Sequence, residues 1–423
     1  MFRLPRLTRP PLLRTTVFLR LASPRATFST EPANPRISSV ATAAAAAVSD
    51  AIVGLVAAGG RTLEADLDRL GPALSHPLVS ATLRALTDRG VPAAGFFDWV
   101  ALRRGFSPSA HAHNLLVDNA GRLADYQAMS RALASMSARR IPLIERAFAF
   151  LNSSRGNARD TAIAILRTLD EVGGPCRASG VFSLVKALAS IGEFDAAMFV
   201  IQETAKEVRY YNALMAVKCK AGDFHGAREV FDGMRRSGFD PNANSWNYLL
   251  GCLLKNGRFA EGCELVETME RSGPDDIPNS LTYEILAYHA CKAGRMDSAT
   301  QIVDQMFLEK LTPRITIHTA FIKGFLCTGR IEDACRYVSA MSTRDRHSVN
   351  RNYSLLARLL CKTGRIVDAG RILYELMEKK GLLPDHSAYI RVIKDLYKVG
   401  KGDLATELKL IFHKLSAHAG SAQ

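Results

Sequence analysis

The sequence predicts an all-α, right-handed superhelical solenoid of helix-turn-helix repeats, and three observations lead there. Glycines recur at Gly222, Gly257, Gly294, Gly329, Gly364 and Gly400, spaced by 35, 37, 35, 35 and 36 residues. Other residue types keep step with them: five residues on stands a small residue (Ala227, Gly262, Ala299, Ala334, Ala369), and twelve on a methionine (Met234, Met269, Met306, Met341), with Met377 slipped by one. The segments before the glycines also repeat, as CKAG at Cys219 and CKAGR at Cys291, CTGR at Cys327 and CKTGR at Cys361. A period of this size marks stacked supersecondary units.

From the N-terminus, residues 1–30 carry Arg3, Arg6, Arg9, Arg14, Arg20 and Arg25 with no acid, threaded with Leu, Phe and Val and ending in Ser and Thr. That is the composition of an organellar transit peptide, not of a secretory signal with its unbroken apolar centre. Mitochondrion is the expected destination and plastid the alternative, with cleavage near Phe28 or Ser29. Six of the fourteen net positive charges lie there, which leaves a body of +8, suited to a polyanion. Residues 31–47 read as an Ala-rich linker, 48–108 as an N-terminal helical cap, and 109–207 as degenerate repeats.

The clear units follow at 208–242, 243–279, 280–314, 315–349 and 350–385, with a C-terminal partial repeat and tail at 386–423. Each reads as a helical hairpin. The first helix opens with an aromatic or His: Tyr211, Trp246, Tyr283, His318, Tyr353 and Tyr389. The glycine then supplies the left-handed residue that ends this helix without steric cost. In the second helix of the first clear unit, Phe224, Ala227, Val230, Phe231 and Met234 form one apolar stripe at helical spacing, and the small residue lets the two helices approach. Proline ends the unit at Pro241, Pro278, Pro313 and Pro384, but the fourth unit has none. The two extra residues of the second unit fall in the GPDDIPN turn, where added length costs little. A lone hairpin cannot bury its stripe, so neighbours must stack. The Met and aromatic positions are therefore expected in the core.

No apolar run approaches the ~18 residues that cross a bilayer, so no membrane insertion is expected. The eight cysteines show no CxxC pair and join no His cluster, which makes them core thiols and implies no metal or other cofactor. No phosphate-binding GxxxxGK[ST] occurs, and His111 and His113 have no acidic or cysteine companions. No catalytic constellation is present, and the chain is not expected to be an enzyme.

The tetratricopeptide repeat is a helical hairpin of similar length, but its Trp/Leu-Gly/Tyr signature is missing. Segments such as YYNALMAVKCKAGDFHGAREVFDGMRRSGFDPN and LTYEILAYHACKAGRMDSATQIVDQMFLEKLTP instead resemble the pentatricopeptide repeat family of plant organelles, in its pure 35-residue subclass. The resemblance is strong over 208–385, weaker over 109–207 and absent before. It implies binding of single-stranded RNA at one base per repeat. The fifth and last residues of a unit would then meet the base edge, and the second residue would pack between bases.

Carried over residue by residue, the resemblance implies base-edge pairs Asn212 with Asn242, Asn247 with Asn279, and Ser354 with Asp385. The Asn/Asn pairs would favour a pyrimidine and the Ser/Asp pair guanine. Glu284 with Arg314 and Thr319 with Val349 match no standard pair. Ile390 in the last unit and Phe182 upstream would read nothing. The packing residue is usually aliphatic in the family. Here it is Arg209, Asn244, Leu281, Thr316 and Arg351, of which Leu281 alone fits the pattern, while the arginines could stack on bases or meet phosphates.

These implications define an organellar single-stranded RNA-binding adaptor that supports intron splicing, transcript stabilisation or processing, or translation, with splicing or ribosomal proteins as partners. The alternative is a structural component of the mitochondrial ribosome, which a short array with eroded code positions would suit.

Overall fold

The structure, a computed structural model, describes residues 35–59, 62–153, 157–205, 207–272 and 278–420, with side chains from Ala46 to Ala417. The transit peptide and most of the GPDDIPN insertion lie outside these residues. Every regular element among the described residues is a helix, and no strand occurs.

The six ruler glycines all have positive φ, from +72° to +83°, as helix-ending residues require. The residues five positions on are buried, and at Gly262 an added Cβ would stand 2.7 Å from a Leu254 methyl, so no side chain fits without repacking. The leading aromatics, His318 and all five stepping methionines are buried, and so are the four prolines. Burial pushes the Cys291 thiol up to about 12 and that of Cys361 to about 11, so both stay protonated.

The chain forms two compact units. One runs to Ala221 and takes in His225–Asp240; the other comprises Gly222–Phe224 and everything from Pro241 onward. In the second, hairpins pair Ala243–Lys255 with Phe259–Ser272, Ser280–Lys292 with Met296–Leu308, Ile315–Cys327 with Ile331–Arg344, Val349–Lys362 with Ile366–Tyr374, and His386–Lys398 with Gly402–Gly420. Each first helix packs on its own second helix and on the next first helix, which makes a layer of first helices lying side by side.

The slipped Met377 has a local cause. Residues Glu375–Lys379 form a π-helical turn, which absorbs one extra residue and returns Met377 to the core. The unit without proline finds another closure. Asp345 ends the Ile331–Arg344 helix, its carboxylate meets His318 Nε2 at 3.1 Å, and the Tyr337 hydroxyl lies 2.8 Å from His318 Nδ1. A neutral imidazole satisfies both partners, donating to the carboxylate and accepting from the phenol. Tyr337 also stacks on Phe321, with ring centroids 4.6 Å apart.

The N-terminal unit shows the same alternation further upstream than the sequence signature reaches. First helices Pro35–Ala58, His76–Asp88, Ala110–Arg122, Glu145–Ser153 (a 3-10 helix), Gly174–Ser190 and Val208–Ala221 pack in succession. The first of these passes through the stretch expected as a linker. Ala124 occupies the ruler-glycine slot after Ala110–Arg122 and takes the same left-handed conformation, with φ +52°.

Candidate nucleic-acid interface

The first-helix layer carries the residues singled out from sequence, so its local construction decides what they can do. Asn242 and Asn279, the last residues of their units, are the N-caps of the next first helices. Asn279 Oδ1 accepts the Thr282 N–H at 3.1 Å and Asn242 Oδ1 accepts that of Ser245 at 3.1 Å, each within a capping box. Both remain exposed.

The fifth residues behave differently, because Asn247, Glu284 and Ser354 are buried and reach toward the last residue of their own unit. Asn247 Nδ2 donates to Asn279 Oδ1 at 3.3 Å. Glu284 Oε1 accepts the Arg314 backbone N–H at 3.1 Å, and its other oxygen pairs with the Arg314 guanidinium. Ser354 Oγ accepts the Asp385 N–H at 2.9 Å and donates to Asn350 Oδ1 at 3.1 Å. In the N-terminal unit, the buried Asn114 does the same, accepting the Ile144 N–H at 2.9 Å. In these four units the fifth side chain is thus a latch that anchors the start of the following first helix.

The consequence for recognition differs from unit to unit. At Ser354 and Glu284 the acceptor is engaged by backbone, whereas Asn247 Oδ1 is buried with no hydrogen-bond partner among the described residues. Asn279 has spent its oxygen on the cap and on Asn247, so its amide N–H groups are what it can offer. What the pair presents at the surface is therefore the Asn279 donors, with the Asn247 acceptor buried behind them. Thr319 is half-buried and makes no hydrogen bond to Val349 among the described residues. Asn212 is buried in the N-terminal unit, and Ile390 is exposed.

The second-position residues Arg209, Asn244, Leu281, Thr316 and Arg351 are all exposed. Arg209 is already engaged: it pairs with Glu207 at 2.6 Å, and its guanidinium carbon lies 5.7 Å from the Phe182 ring centre. Arg351 makes no ion pair among the described residues.

Three further positions share the exposed face of the second residue. Counting from the start of each unit, positions two, six, nine and thirteen fall within about 60° of arc on a 3.6-residue helix. None of these positions is acidic in the six first helices from Val208 onward. Position thirteen is Lys220, Lys255, Lys292, Lys362 and Lys398, all exposed, with Cys327 in the fourth unit. Position nine adds Lys323, Arg358 and Lys394. Lys292, Lys323, Lys362 and Lys394 make no ion pair among the described residues. The second helices contrast with this. Several arginines there pair with neighbouring acids, as Arg330 with Asp333 and Arg365 with Asp368, both at 2.5 Å. The lysines were legible in the CKAG and CKTG segments, between cysteine and glycine, but spacing alone does not show which way they face.

Comparison with known proteins finds similarity over part of the chain. A pentatricopeptide repeat domain model matches residues 195–256, and a PPR repeat model matches residues 244–274. The chain is 24% identical over 135 residues to a chloroplastic pentatricopeptide repeat-containing protein of Arabidopsis thaliana, covering 31% of this chain and 23% of that protein. It is 22% identical over 188 residues to a mitochondrial one from the same plant, covering 44% and 31%. The matched stretch spans less than a third of either relative. Among solved structures, the maize pentatricopeptide repeat protein PPR10 shares 18% identity with a TM-score of 0.32, covering 83% of this chain and 61% of that one. Its complex with an 18-nucleotide psaJ RNA element aligns with a TM-score of 0.30, covering 82% and 57%.

Proposed function

We propose that this chain is a pentatricopeptide repeat protein whose first-helix layer binds single-stranded RNA in an organelle, as a non-enzymatic adaptor in splicing, stabilisation, processing or translation of a transcript. The observation that carries the reading is the acid-free face at positions two, six, nine and thirteen, on which Lys292, Lys323, Lys362 and Lys394 make no ion pair among the described residues. A polyphosphate strand is the natural counter-ion of such a row, because each contact releases condensed cations. Recognition of individual bases rests chiefly on Asn247 with Asn279, where the exposed Asn279 amide N–H groups can meet an acceptor on a pyrimidine edge. The arginine-rich, acid-free opening supports an organelle, with the mitochondrion preferred, and the two Arabidopsis relatives are named for one organelle each.

The test is salt-titrated binding of the full chain to single-stranded RNA. Replacing Lys292, Lys323 and Lys362 by alanine should lower the log–log salt slope by about 2, at roughly 0.7 per phosphate contact. An unchanged slope would remove the lysine row from the interface. Crosslinking in isolated mitochondria then separates the adaptor from the ribosomal alternative: a footprint on one transcript that is lost in Asn247→Ala supports the adaptor, and a footprint on ribosomal RNA supports the scaffold.

A further inference from the structure

Two tyrosines on the same face are not explained by packing. The leading aromatics of the repeats are buried, yet Tyr248 and Tyr288 are 38% and 44% exposed, and Leu281 is 37% exposed. They stand at positions six, nine and two of Ala243–Lys255 and Ser280–Lys292, two first helices that pack against each other. Position nine of the earlier helix is Gly251, where an added Cβ would meet no atom within 4 Å, so the surface at that position of the layer is open. The Tyr288 ring is braced edge-on by His289, with centroids 5.4 Å apart. The neighbouring charges are Lys255 and Lys292, at position thirteen of the same helices.

We propose that Tyr248 and Tyr288 form a base-stacking platform, a contact with RNA distinct from the fifth-and-last-residue pairs. An exposed ring gains by covering its face with another flat apolar surface. What can approach this ring is set by the cationic, acid-free surround, which attracts a phosphate-bearing ligand and not a basic or neutral protein surface. A nucleotide supplies both parts, a π-face for the tyrosine and a phosphate for the lysine. Because every base has such a face, the platform adds affinity without sequence preference. It falls where the Asn247 and Asn279 pair reads and where the next unit, closed by Glu284 and Arg314, does not. It would hold the strand in register across the unread unit.

The proposal rests on the RNA-binding reading, and its test separates the two. The full chain, Tyr248→Ala, Tyr288→Ala and the corresponding Phe variants are titrated with a short oligouridine and with an abasic ribose-phosphate strand of equal length. Each Ala variant should bind oligouridine about 5- to 150-fold more weakly, as expected for loss of a stacking contact. The Phe variants should stay close to wild type, and abasic binding should be the same for all. Equal oligouridine affinity in wild type and Ala variants overturns the platform alone and leaves the tyrosines for a protein partner. An equal loss on the abasic strand overturns it as well, by showing an electrostatic or structural cause. If wild type binds neither strand, the RNA-binding reading falls and the platform with it.

Discussion

Ser354→Ala tests the latch most directly. Ser354 is fully buried, and its hydroxyl makes two hydrogen bonds, accepting from the Asp385 N–H at 2.9 Å and donating to Asn350 Oδ1 at 3.1 Å. Asn350 is half-exposed and can turn to water, so its loss is small. The Asp385 N–H is different: it lies at the start of His386–Lys398, whose first turn has no side-chain cap. Without Ser354 it loses its acceptor, and an orphaned, partly buried donor costs about 1–3 kcal/mol. Native-state hydrogen exchange reads this locally, which matters in a stacked array where one unit can open without the others. The Asp385 amide should exchange about 5- to 150-fold faster in Ser354→Ala, with smaller changes in the helices before Gly364. Asn350→Ala should cost only about 0.5–1.5 kcal/mol and leave the Asp385 amide protected. Unchanged Asp385 protection in Ser354→Ala would refute the latch and return the fifth residue to recognition alone.

Two further stability predictions follow from the fold. Burial lowers the affinity of His318 for a proton more than Asp345 raises it, so the unfolded chain takes up that proton first as pH falls below about 6.5. The His318 contribution is therefore complete above that pH and is lost below it. Urea midpoints at about pH 7.5 and about pH 5.5 should differ more for wild type than for His318→Phe, and equal differences would disprove the assignment. Gly257 has φ +75° with open space beside it, so Gly257→Ala should cost about 1 kcal/mol through backbone conformation alone, whereas Ala124→Gly, at the equivalent slot, should recover a similar amount. Both are read from the denaturation midpoint.

Much of the candidate site could be found in sequence but not interpreted there. Asn247 and Asn279 are visible as residues 32 apart, yet only their 3.3 Å contact, with the Asn279 oxygen committed to a helix cap, shows which atoms remain for a base. Glu284 with Arg314 reads as a mismatch in the pattern, and the structure makes it a closed ion pair that also holds backbone. Tyr248 and Tyr288 are lost among eleven tyrosines until burial separates core rings from surface rings.

The all-α repeat itself was determined by sequence, because its signals are local. The sign of φ at Gly222 or Gly364, the 3.6-residue stripe through Phe224 and Met234, and the small residue at Ala299 each act within one hairpin. They need no knowledge of neighbours. Tertiary structure decided what depends on how hairpins stack: the latch from Ser354 to Asp385, the π-turn that carries Met377 back to the core, the His318 bridge that stands in for a missing proline, and the hairpins before Ser109. The hairpin at His76–Asp88 even keeps a left-handed glycine in the ruler slot, Gly90 with φ +66°, but the residues around it have drifted, since a buried stripe tolerates many apolar sequences. The cationic face belongs to the same group. Lys255 and Lys292, 37 residues apart, become one surface only when their helices lie side by side.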